Sequence, residues 1–107
     1  MPSIRIWADV HSTGVIDELG AEVRQEQTTI SDETWVMLQR WVDDYDVIIP
    51  LDQARRDARA SEIAELDARG IELMRRVRRE WPFDEQAEAP NYYEYYSEGL
   101  MRTIDVP

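Results

Sequence analysis

A chain of 107 residues, 43% hydrophobic and without cysteine, has room for one modest core, and it excludes disulfides and thiolate metal sites. Twenty-three acids stand against twelve basic residues, every one an arginine; the net charge of −11 repels nucleic acid and anionic membrane and attracts a basic partner. No apolar run approaches the roughly 20 residues that span a bilayer, and MPSIRIWADV lacks the basic-then-apolar order of a secretory signal, so a cytoplasmic location is expected.

Residues 3–10 read SIRIWADV. Ile4, Ile6, Ala8 and Val10 alternate with Arg5, Trp7 and Asp9, which predicts a strand. His11, Ser12, Thr13 and Gly14 make a turn-like link to a short second strand over residues 15–19, antiparallel to the first, which Gly20 ends. Residues 21–29 are polar and irregular. A helix then starts after Ser31, whose hydroxyl suits the N-cap. Asp32 and Glu33 sit at the positive end of its dipole, and Ile30 and Trp35 have the spacing of a hydrophobic staple. Leu38, Trp41, Val42 and Tyr45 continue the apolar stripe, with Glu33 and Asp43 on the opposite face. Pro50 closes the region, because the residue before proline avoids the α conformation.

A longer helix is expected from about Gln53 to Trp81. Ile63, Leu66, Gly70, Leu73, Val77 and Trp81 form one stripe. Arg59, Arg69, Arg75, Arg76, Arg78 and Arg79 lie mostly off it, and Glu62, Glu65, Asp67 and Glu72 supply helix-neighbour ion pairs. Gly70 in a helix interior points to a close contact with another element. Pro82 enforces the stop, and residues 83–90 form an acidic loop. NYYEYYS is strongly strand-prone. Residues 97–99 turn the chain into a last strand in which Leu100, Ile104 and Val106 alternate with Met101, Thr103 and Asp105. The expected architecture is a single α+β domain over residues 1–107, with two helices on one face of a small three- to four-stranded, mainly antiparallel sheet. Ile4, Ile6, Ala8, Leu100, Ile104 and Val106 would meet the helices. Arg5, Trp7 and some tyrosines would face outward.

Catalytic chemistry finds little to stand on. The single histidine, His11, has Asp9 and Ser12 beside it in sequence, but triad members must converge in space, and adjacent strand residues point apart. Asp43, Asp44 and Asp46 suit a hard cation loosely, or simply a solvated helix end. No glycine-rich phosphate loop exists among four glycines. No enzyme, cofactor or metal is expected. The charge is unevenly placed: residues 9–52 carry a net of −9, residues 53–81 a net of +2 and residues 82–107 a net of −5. Two acidic blocks thus flank a balanced helix. Tyr92, Tyr93, Tyr95 and Tyr96 fall on both faces of their strand, with Glu94 and Glu98 among them; they suit either an interface or a second small core.

The order of these elements is an IRIWAD strand, a segment ending VIDELG, a serine-capped helix with Trp41 and Tyr45 in RWVDDYD, a helix carrying LDARGIEL, and a YYSEGLMRTI strand pair. It resembles a diffuse group of small acidic bacterial proteins, many encoded beside polymorphic or contact-dependent toxins and read as immunity proteins. The resemblance implies a protein that binds and neutralises a basic toxin domain such as a nuclease. It carries over no functional residue. The contact surface expected from charge and aromatics is Asp43, Asp44 and Asp46 with Trp7, Tyr93, Glu94, Tyr95 and Glu98. A DNA-mimic inhibitor of a restriction or CRISPR effector shares the negative field and is the alternative.

Overall fold

The computed structural model describes residues 3–87 and 89–106. Four strands, β1 (Ser3–Trp7), β2 (Val15–Asp17), β3 (Tyr92–Ser97) and β4 (Arg102–Ile104), form one sheet in the order β2-β1-β3-β4. The β1–β2 and β3–β4 pairs are antiparallel, and β1 and β3 run parallel at the centre. Three helices follow the second strand: α1 (Asp32–Tyr45), α2 (Gln53–Asp57) and α3 (Ala60–Glu80). The domain is α+β with a mixed, mostly antiparallel sheet, as the hydrophobic periodicities indicate.

The strands are shorter than the alternation suggests, and the reasons are local. After Trp7 the backbone turns: Asp9 O accepts from Ser12 N and Oγ, His11 takes a positive φ of 54°, and Trp7 N donates to Gly14 O at 3.0 Å. Histidine tolerates that region better than most residues. The end of β2 is closed by Asp17, whose carboxylate accepts from the Leu19 and Ala21 amides around Gly20 at φ 84°. One 3-10 turn, Gln25–Gln27, occupies the polar link before α1. Ser31 caps α1 as expected, accepting from Thr34 N.

The long helix expected from Gln53 is two helices. Asp52 caps the first through Arg55 N, and the axis breaks at Arg59, where φ is −115° and ψ 28°. In QARRDARASE before Ile63 the apolar side chains are the small ones of Ala54, Ala58 and Ala60, which give a continuous helix little face to bury. Arg56 takes over instead. It is 7% exposed, and its guanidinium donates to the carbonyls of Ile49, Leu51, Glu98 and Gly99. The short helix is thereby clamped between the α1–α2 link and the β3–β4 turn.

One sheet face carries Ile4, Ile6, Val15 and Tyr95 into the core against Leu38, Trp41, Tyr45, Leu73, Met74 and Val77 of the helices. Burying a side chain of this size contributes roughly 1.5–3 kcal/mol. Gly70 is where α3 crosses α1 and β3: a Cβ there would overlap the rings of Tyr95 and Trp41. Trp41 Nε1 donates to Leu66 O at 2.8 Å across the same contact. Leu100, expected in the core, is 47% exposed, because residues 98–101 form the turn into β4 and Met101 takes φ 55°. Ile104 and Val106 do pack against the core.

Candidate partner-binding surface

The residues that charge and aromatic content single out do not form one patch. They divide among the core, the outer face of the sheet and the end of α1.

Tyr93 and Tyr95 belong to the helix-facing side. The parallel register sets Tyr93 beside Ile4 and Tyr95 beside Ile6. Tyr95 is fully buried, so its place on a contact surface is corrected: it is a core residue. Tyr93 is half-buried, and its hydroxyl donates to Trp81 O at the end of α3. Burial raises its pKa, while Arg78 nearby works the other way.

Beneath Tyr95 lies Asp67, which the amphipathic pattern assigns to surface ion pairing. It is 5% exposed. Its carboxyl group accepts from Tyr45 OH at 2.8 Å, Tyr95 OH at 2.6 Å and Ser97 Oγ at 2.7 Å. Gly99 N donates to Tyr45 OH, and Leu100 N to Ser97 Oγ. No buried side-chain polar atom among the described residues lacks a partner, as a buried polar network requires. Burial pushes the Tyr45 and Tyr95 hydroxyls far above the ordinary tyrosine pKa. Asp67 adds to that for both, while Ser97 and Gly99 work against it at Tyr45.

The outer sheet face carries Arg5, Trp7, Glu94 and Tyr96. Arg5 meets Glu94 at 2.7 Å and lies 5.3 Å over the Tyr96 ring. Trp7 packs edge-on to Tyr96 at 5.1 Å, and its Nε1 donates to Glu98 at 2.6 Å. Glu98 also faces Arg56 at 3.9 Å. Glu94 and Glu98 are therefore matched within the fold, and Trp7 is half-buried among them. Such partly exposed pairs contribute little to stability individually, but they remove two charges from what a partner meets.

The end of α1 differs. Asp43, Asp44 and Asp46 are all exposed, at the C-terminal end of a helix with no basic residue in its last turn. The negative end of the dipole disfavours them. Arg69 reaches Asp44 at 2.9 Å. No cation among the described residues comes within 4.0 Å of Asp43 or Asp46. A shallow depression of about 220 Å³ is lined by Asp44, Val47, Glu62, Glu65, Leu66 and Arg69. Val47 is 53% exposed within this acidic rim. Glu62 and Glu65 were not singled out for this role. Their offset of one residue from Ile63 and Leu66 on α3 is the signal that places them at the edge of the α1 contact.

Among the described residues, no three His, Cys, Asp or Glu side chains gather as metal ligands, the aspartates at the end of α1 included. His11 is exposed, and no hydrogen bond joins it to Asp9 or Ser12; those two bond to each other instead. No described helix is long and apolar enough to cross a membrane. Comparisons with protein-family models, with curated proteins and with solved structures find no match.

Proposed function

We propose that this chain works by binding a basic protein, in the manner of an immunity or antitoxin-type protein that neutralises a basic toxin domain such as a nuclease. One observation carries the reading. Among the described residues, Asp43 and Asp46 stand exposed and unpaired at the helix end that repels them, where Asp44 shares a depression with Glu62 and Glu65. This arrangement does nothing for the isolated fold. A cationic surface would relieve it, and sites kept at the expense of stability are typical of function. The field of −11 would steer a cationic partner inward, with exposed acids setting the association rate. Val47 offers an apolar contact within the rim.

The test begins with a basic partner purified on the immobilised chain and assayed for nuclease or other toxic activity with and without it. Charge reversal, Asp43→Arg with Asp46→Arg, should then slow association about tenfold and flatten its salt dependence. An unchanged rate and salt slope would remove the α1 end from the interface.

The DNA-mimic reading draws on one feature, the elongated extents of 47 × 24 × 23 Å. The arginines along α3 interrupt any continuous row of phosphate-like charges on that face. Competition with duplex DNA for a restriction or CRISPR effector separates the two readings.

A further inference from the structure

The strongest cationic feature of this acidic protein is a groove between α1 and α3. It has a volume of about 420 Å³, and Arg40, Arg69, Arg76 and Arg79 line it together with Met37 and Leu73. On α3 the arginines recur at residues 69, 76 and 79, which share one side of the helix. Arg40 faces them from α1. The acids of this region are already engaged. Asp44 pairs with Arg69, Glu33 and Glu80 with Arg76, and Glu72, on the rim, with Arg75. Arg40 and Arg79 are exposed and form no ion pair or side-chain hydrogen bond among the described residues. The floor is apolar: Leu73 is buried, and Met37 is 37% exposed.

We infer that this groove docks an amphipathic acidic peptide segment of a partner protein, at a surface that meets the acidic depression at the end of α1 through Arg69 alone. Arg69 to Arg79 spans about 15 Å of helix. The cations therefore cannot converge on one phosphate, whereas carboxylates spaced along a peptide can meet them in turn. Guanidinium groups suit that task because each presents a planar fork of donors to a carboxylate. Met37 and Leu73 supply the apolar strip that an amphipathic segment needs, in the helix-in-groove manner. A nucleic acid would meet the same arginines, but the net charge of −11 and Glu72 on the rim oppose a long polyanion.

The experiment uses the full chain and a displayed pool of peptides of about twelve residues, long enough to span the groove as a helix, built from glutamate, leucine and alanine in varied order. Selected peptides are measured by fluorescence anisotropy. The expected result is saturable binding that weakens with salt and falls about tenfold in Arg40→Glu with Arg79→Glu. Both positions are exposed, so the urea midpoint should stay at the parent value; should the reversal variant misfold, Arg40→Gln with Arg79→Gln carries the same test. Asp43→Asn with Asp46→Asn should leave peptide binding intact, which keeps this site distinct from the proposed cationic-partner surface. The inference is overturned by an empty selection, by equal affinity in the arginine variant, or by inorganic phosphate or duplex DNA displacing the peptide at comparable concentration.

Discussion

Asp67 on α3 is enclosed by the hydroxyls of Tyr45, Tyr95 and Ser97, whereas Asp43 and Asp46 at the end of α1 are exposed and have no ion-pair partner among the described residues. All three are aspartates on a helix or at its end. The first accepts three hydrogen bonds, two on Oδ1 and one on Oδ2, and each donor comes from a different place: α1, the middle of β3 and its end. The other two lie where the helix dipole opposes them. The contrast separates charge that specifies this structure from charge that the structure merely tolerates. Glu94 and Glu98 fall between, matched by Arg5, Trp7 and Arg56 yet still partly open to solvent.

Removing Asp67 tests the first half of that contrast most severely. Asp67→Ala strands three buried donors and should lower unfolding free energy by about 3–5 kcal/mol in urea titration. A loss below about 1 kcal/mol would mean that water replaces the carboxyl group and that the network is not a fold determinant. Gly70→Ala probes the same region through shape. Alanine gains about 1 kcal/mol of helix propensity. Overlap with the buried Tyr95 and Trp41 rings outweighs it, for a net loss of about 2 kcal/mol.

Alkaline titration sharpens the picture further. Tyr45 and Tyr95 have folded-state pKa values raised above the ordinary 10.0, by burial first and Asp67 next. Their stabilisation is complete below 10.0 and fades as pH climbs beyond it, because the unfolded chain ionises first. The urea midpoint should therefore drop above that pH, with tyrosinate absorbance from these two rings appearing only on unfolding. The smallest effect has the opposite sign. Asp43→Asn and Asp46→Asn should each stabilise the free protein by a few tenths of a kcal/mol while weakening association with a cationic partner. Destabilisation by either change would give those carboxylates a structural role and erase the contrast.

Much of the architecture was legible because it is written in short periods. SIRIW alternates, Ser31 precedes an acidic first turn, and Ile63 to Val77 repeat at helical spacing. The YYEYY run was not legible in the same way. Its alternation has aromatics on both sides, and which set turns inward follows from the register with β1, a partner far away in sequence. Asp67 carried a signal that charge obscured: it follows Ile63 by one turn and lies between Leu66 and Gly70, on the stripe itself. The break at Arg59 had only a negative sign, the lack of apolar side chains larger than alanine from Gln53 to Glu62. The candidate surface was half legible. The aspartates of α1 are exposed as composition suggests, but pairing of Glu94 and Glu98 depends on Arg5, Trp7 and Arg56, brought near only by tertiary structure.

The parallel pairing of β1 with β3 has a consequence during synthesis. Ser3 to Trp7 lie against Tyr92 to Tyr96, so the centre of the sheet joins segments 89 residues apart, one made well before the other. While a ribosome adds the intervening residues at about 5–20 per second, Ile4 and Ile6 have β2 on one side and an open strand edge on the other. High contact order of this kind slows folding. A nascent chain can present its negative field before its sheet closes, so electrostatic attraction is available to a cationic neighbour earlier than the finished surface is.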